Sequence, residues 1–91
     1  MKNHKHFAFH LTFSLWSNID KANSESFESK FRLAKQTALS SVNSMKPLKF
    51  TNHLVEYDLF LDNVYSEIEL IDVMAFQNYV FKSSLRFISP Y

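Results

Sequence analysis

Four histidines are the side chains of this sequence best suited to metal or acid–base chemistry, and three of them lie close together. His4, His6 and His10 fall on one side of a predicted strand, where alternate residues project side by side, and His53 begins another. Such a row could bind zinc if the sheet brought a carboxylate such as Glu67 beside it. Zinc sites need three or four converging ligands, however. The simpler interpretation is a row of solvated histidines, and we predict no metal and no cofactor.

His10 is also the residue on which a hydrolase would have to depend. It precedes Leu11 and Thr12 in an H-x-T triplet, which is too short to identify a family. No serine has the flanking glycines of a nucleophile elbow, because the chain contains no glycine. The same absence excludes the glycine-rich loops that bind phosphates. We therefore predict that the protein is not an enzyme, and we keep a small hydrolase or a metal site at His10 as an alternative.

Charge is unevenly distributed along the sequence, although the net formal charge is only +1. Residues 1–50 carry eight Lys and Arg against three Asp and Glu. Residues 51–73 carry six Asp and Glu and no Lys or Arg. Opposed regions of this kind favour binding to a charged macromolecule, because complementary charge speeds association and sets specificity.

The acidic segment is predicted to form a β-hairpin. Its apolar and polar residues alternate, as is typical of strands with one buried face, and Asp62-Asn63 suits a two-residue turn. Pairing about this turn places Asp58 opposite Glu67 on the face away from the core. It also places Glu56 opposite Glu69 on that face. Because like charges directly across a ladder are destabilising, we expect these acids to face something positive.

We therefore predict a small non-enzymatic regulator or inhibitor that lays this acidic hairpin on the basic surface of a partner protein. Anti-CRISPR and immunity proteins provide an analogy of size and charge. Affinity is expected to come from apolar residues beside the acids. The predicted partner-binding residues are Glu56, Asp58, Phe60, Tyr65, Glu67, Glu69 and Asp72.

Two other kinds of partner remain open. A module that binds single-stranded nucleic acid could stack bases on an open sheet face that carries Trp16, Phe60 and Tyr65. We rank this hypothesis lower, because the basic-aromatic motif of RNA-recognition modules is absent and the centre of that face is acidic. The same aromatic face could instead form a homodimer.

Alternating and helical periods predict the elements that position these residues. Strict alternation over residues 5–16 predicts a first strand, with Phe7, Phe9, Leu11, Phe13 and Leu15 facing the core. A helix follows, capped by Asn23 or Ser24, with Glu28 and Arg32 forming an i,i+4 pair. Its apolar stripe comprises Phe27, Phe31, Ala34, Ala38 and Val42. Asn43 and then Pro47 are expected to end it.

After the hairpin, Asp72 is predicted to cap a short helix that runs to about Lys82, and residues 85–88 to form a last strand before Pro90. An all-strand course of residues 79–88 is the alternative. The predicted fold is therefore α+β, a ferredoxin-like β-α-β-β-α-β order with an antiparallel sheet. A β-α-β-β-β sheet with one helix is the second possibility.

Composition indicates one compact domain over residues 1–91, with 46% hydrophobic and 21% charged residues. The chain has no cysteine, so a reducing compartment, the cytoplasm, is expected. Lys2 and Lys5 before Phe7–Trp16 loosely resemble a signal peptide, but polar residues interrupt the apolar run. No apolar stretch is long enough to span a bilayer, and no membrane partner is predicted.

Overall fold

A computed structural model describes residues 4–19, 26–45 and 55–88, and within these ranges the chain forms four α-helices. Helix α1 spans Lys5–Ser17, α2 spans Phe27–Ser44, α3 spans Val55–Leu70 and α4 spans Val73–Ile88. None of the described residues belongs to a strand. The predicted ferredoxin-like α+β fold is therefore wrong, and so is the alternative β-α-β-β-β sheet.

The segment predicted as the first strand forms α1. Ala8, Phe9 and Thr12 are buried at helical spacing, whereas Phe7, predicted to face the core, is 43% exposed. The Thr12 hydroxyl donates a hydrogen bond of 2.9 Å to the Ala8 carbonyl, which satisfies this polar group inside the core. The alternation was misleading because Ala8 and Trp16 are apolar residues on the side of the predicted strand that faces away from the core, so apolar residues surround much of the helix.

Helix α2 confirms most of the prediction made for it. Phe31, Ala34, Ala38 and Val42 are buried and Phe27 is half-buried, as its apolar stripe requires. The Glu28–Arg32 ion pair forms at 3.2 Å. The cap is Ser26, whose side chain accepts a hydrogen bond of 3.1 Å from the Ser29 backbone N–H. The Ser29 hydroxyl in turn accepts one from the Ser26 backbone N–H, which completes a capping box. The predicted caps Asn23 and Ser24 lie outside the described residues.

The predicted hairpin is wrong because its residues form the single helix α3. Leu61, Val64 and Ile68 are buried at spacings of three and four, while Asp62 and Asn63 lie exposed in the middle of the helix. A tight hairpin turn of the favoured type requires positive φ at both central residues. Asp-Asn adopts that conformation only at a cost, and no described residue has a positive φ. A helix avoids this cost and buries the same aliphatic residues.

The predicted cap of the last helix is confirmed. The Asp72 carboxylate accepts a hydrogen bond of 2.8 Å from the Ala75 backbone N–H and so begins α4. The helix continues past Lys82 to Ile88, so the final strand over residues 85–88 and the all-strand alternative are both wrong.

Replacing Asp72 with alanine is expected to lower the free energy of unfolding by about 1 kcal/mol, because the first turn of α4 loses its capping acceptor. Asp72→Asn keeps an oxygen that can accept the same hydrogen bond, so it should retain most of the stability. Urea unfolding followed by circular dichroism measures both variants. Equal losses in the two variants would show that the cap does not contribute.

Side chains from all four helices form one apolar cluster. Helices α1, α2 and α3 pack against one another, and α4 packs on α1 and α2. Phe76 is the fully buried side chain of the described part of α4, and its ring centroid lies 4.8 Å from Phe31 and 6.0 Å from Trp16. Over the described residues α4 does not pack along α3, although only Ile71 and Asp72 separate them in sequence. The faces of α3 and α4 that point away from this cluster are left to solvent.

Candidate protein-binding surface

The acidic residues predicted to share one face of a hairpin lie on two opposite flanks of α3. An α-helix has 3.6 residues per turn, so two residues separated by one other point in nearly opposite directions. Glu67 and Glu69 are such a pair. Glu67 lines a groove with Lys5 and Phe9 of α1. Glu69 lines another groove with residues of α2, including Arg32. The cross-strand pairs predicted for these acids therefore do not exist.

Each flank contains acids at helical spacing. Glu56 and Glu67 form the α1 flank, with Phe60 between them, whose ring centroid is 4.8 Å from that of His4. The α2 flank consists of Asp58, Asp62 and Glu69. Helix α3 itself carries no Lys or Arg. The cations beside its flanks come from the neighbouring helices, with Lys5 in the groove of Glu67 and Arg32 in the groove of Glu69.

The strip between the two flanks faces solvent and contains two exposed leucines. We call it the outer face of α3, and it consists of Leu59, Asn63, Ser66 and Leu70. Leu59 is 56% exposed and Leu70 is 77% exposed. These two side chains lie opposite the buried residues Leu61, Val64 and Ile68. The outer face of α3 therefore has an exposed leucine towards each end, with Asn63 and Ser66 between them and acids along both sides.

Lys35 of α2 contacts the C-terminal end of α3, where its ammonium bonds to backbone carbonyls and not to the carboxylates. The Lys35 ammonium donates hydrogen bonds of 2.8 Å to the carbonyls of Glu69 and Ile71, where it caps the end of α3. Arg32 of α2 forms an ion pair with Glu28 of the same helix. The Glu56 and Glu69 side chains are exposed and so can meet an external cation.

The other residues predicted to bind a partner have different environments. Asp58 is half-buried, and Asp72 caps α4. Phe60 and Tyr65, which were predicted to supply affinity, are half-buried and packed against the core cluster. The most exposed large apolar residues of α3 are Leu59 and Leu70, which the hairpin hypothesis missed. Helical spacing was the signal for them, because it places both opposite the aliphatic core stripe.

The histidines do not assemble into a metal site within the described ranges. His6 and His10 are exposed on α1, and His4 contacts the Phe60 ring. No group of three or more His, Asp or Glu there is placed to hold an ion, so Glu67 does not complete a site with the histidines. His53 lies outside the described residues.

The predicted base-stacking face is also absent. Trp16 packs among aromatic rings of the core, with the Lys30 ammonium 4.0 Å from its ring centroid. This is a cation–π contact inside the fold. Trp16, Phe60 and Tyr65 therefore do not form one open aromatic surface.

Helix α4 has a second exposed apolar strip, which the sequence analysis did not identify. Its outer face consists of Met74, Asn78 and Phe81, and Met74 is 70% and Phe81 64% exposed. The helix contains no Asp or Glu but includes Lys82 and Arg86. Its charge is thus opposite to that of α3.

No helix in the described ranges is long and apolar enough to cross a membrane. Comparison with protein-family models, curated proteins and solved structures finds nothing similar to this chain.

Proposed function

We propose that the protein is a non-enzymatic binding protein whose outer face of α3 docks a basic, amphipathic helix of a partner protein. One observation carries this proposal: Leu59 and Leu70 are exposed between two rows of acids on a helix without any cation. The proposal keeps the basic protein partner expected from the sequence but replaces the hairpin with a helix. An inhibitory role of the anti-CRISPR or immunity type, and a cytoplasmic location, remain part of it by analogy and by the absence of cysteine.

The two kinds of residue on this surface have separate roles. Burying Leu59 and Leu70 in a complex would contribute about 1.5–3 kcal/mol each if burial were complete. The acids on the flanks would attract and orient the partner, which raises the association rate and sets specificity. The leucines are eleven residues apart, or about 16 Å along the helix axis. The partner segment should therefore have apolar residues over two to three turns, with Lys or Arg beside them.

This charge pattern disfavours the nucleic-acid alternative. Proteins that bind nucleic acids do so by neutralising phosphates with Lys and Arg. The flanks on either side of the outer face of α3 instead present carboxylates, including Glu56 and Glu69, and would repel a phosphate backbone. A partner helix that carries Lys or Arg would instead be attracted by the acids along α3.

A defined peptide tests the proposal. The probe is a fluorescein-labelled amphipathic peptide about four turns long, with leucines at every third or fourth position and lysines elsewhere. We expect fluorescence anisotropy, at a protein concentration too low for self-association, to show binding that weakens as salt rises. Leu59→Ser and Leu70→Ser should each raise the dissociation constant about tenfold, which corresponds to about 1.4 kcal/mol. Leu33→Ser, at a leucine of α2 that is 43% exposed, is the control and should leave binding unchanged.

Charge is tested with a second matched pair of variants. Glu56→Gln/Glu69→Gln and Gln36→Lys/Asn43→Lys both raise the net charge by two, but only the first pair alters α3. The α3 variant should bind the lysine peptide more weakly than the α2 variant. Equal binding by the two variants, or equal binding of a peptide with glutamates in place of the lysines, would refute the proposal.

A further inference from the structure

We infer that the helix that docks on the outer face of α3 is α4 of a second copy of the same chain. This inference rests on the proposed function and names its partner. Helix α4 has the chemistry that this surface requires: it contains Lys82 and Arg86, lacks acids, and exposes Met74 and Phe81. Helix α3 contains five acids and no cation, so the two helices are complementary in charge.

The exposed apolar residues of each helix are separated by nearly whole turns. Leu59 and Leu70 are eleven residues apart on α3. Met74 and Phe81 are seven residues apart on α4. The first pair therefore spans about three turns, or about 16 Å, the second spans about two turns, or about 10 Å, and each pair lies along one side of its helix. Packing of two such rows is the usual way in which amphipathic helices associate.

The same contact cannot form within one copy of the fold described here. Helix α4 begins three residues after α3 ends, and its first turn is fixed by the Asp72 cap. Phe76 then holds α4 among the rings of α1 and α2. As a result α4 does not pack along α3 of its own chain over the described residues. Its outer face can reach the outer face of α3 only in another copy.

A two-fold dimer satisfies both surfaces of both copies. In this arrangement α4 of each copy lies on α3 of the other, so two equal contacts form and no binding surface remains open. Most soluble homo-oligomers have such closed symmetry, and two-fold dimers are the commonest. This assembly also differs from the homodimer expected from the sequence, which used a sheet face that the fold lacks.

Exchange of charges between the two helices tests this dimer. One variant reverses α4 by Lys82→Glu/Arg86→Glu, and the other reverses α3 by Glu56→Lys/Glu67→Lys/Glu69→Lys, which changes the formal charge of that helix from −5 to +1. By size-exclusion chromatography with light scattering, the native chain should be a dimer. Each variant alone should be a monomer, because both of its contacts then pair like charges. An equimolar mixture should recover dimers, since both contacts of the mixed dimer pair opposite charges again.

A control variant separates this effect from a general effect of charge. Glu28→Lys/Arg32→Glu inverts the exposed ion pair of α2 and should remain a dimer. Met74→Ser/Phe81→Ser tests the contact without changing charge and should raise the dimer dissociation constant at least tenfold. Circular dichroism of every variant verifies that its helices are intact.

The results distinguish this inference from the proposal on which it rests. A monomeric native chain, or a mixture of the two charge variants that stays monomeric, overturns the inference. If that chain still binds the lysine peptide through Leu59, the proposed function stands and the partner is another protein. If peptide binding does not depend on Leu59 either, both fail.

Discussion

Ala8→Asp is expected to destabilise the protein by more than about 3 kcal/mol, because it leaves an uncompensated charge in the core. Ala8 is 0% exposed and belongs to the same core cluster as Leu61, Val64 and Ile68. A carboxylate at this position loses its hydration among apolar side chains. Because small domains are stable by only about 5–15 kcal/mol, this loss is a large part of the total free energy of unfolding. Thermal and urea unfolding, followed by circular dichroism, measure the change.

His10→Asp is the matched control for this variant. His10 is exposed on the same helix, and the substitution introduces the same side chain two residues away. We expect a change within about 0.5 kcal/mol, as is usual for a surface position. A strand over residues 5–16 would place Ala8 and His10 on the same outward face, and both substitutions would then be tolerated. Equal tolerance would therefore contradict helix α1.

Phe76→Ala should lower the free energy of unfolding by about 3–5 kcal/mol, the range expected when a buried phenylalanine is truncated. The ring lies 4.8 Å from that of Phe31 and 6.0 Å from those of Phe27 and Trp16. Its loss removes the fully buried anchor of α4 and leaves a cavity among these rings. We expect the amides of α4 to exchange with solvent faster than those of the other helices in this variant.

Phe81→Ala provides the control within the same helix. Its ring is 64% exposed, so its truncation should change the stability of the monomer by less than about 0.5 kcal/mol. Unfolding is best measured at low protein concentration, where the proposed dimer does not contribute. Similar losses in Phe76→Ala and Phe81→Ala would mean that α4 does not pack through Phe76.

A helix was predicted correctly where the spacing of the apolar residues fits a helix but not a strand. The stripe from Phe31 to Val42 recurs every three or four residues and has no alternating counterpart, and α2 forms as expected. In α1 and α3 the apolar residues satisfy both periods, because apolar residues also occupy intervening positions such as Ala8 and Phe60. Local pattern alone cannot separate the two structures in such segments, and packing against the other helices decides between them.

The candidate surface was predictable in composition but not in shape. The concentration of acids between Glu56 and Asp72 is evident in the sequence, and it lies on α3 and at the start of α4. The choice of period determines which side chains lie beside those acids. A period of two selects Phe60 and Tyr65, which pack on the core, whereas a period of 3.6 selects Leu59 and Leu70. Because the segment was predicted to be a hairpin and not a helix, the apolar residues predicted to contact a partner were also wrong.

Both proposals depend on α3 being one continuous helix through Asp62 and Asn63, since only a helix places Leu59 and Leu70 on one strip between two acidic flanks. Backbone NMR assignment of the native chain tests this requirement directly. We predict helical Cα chemical shifts without interruption from Val55 to Leu70, with sequential amide–amide contacts across Asp62 and Asn63. Extended shifts on both sides of a turn at Asp62-Asn63 would contradict the account.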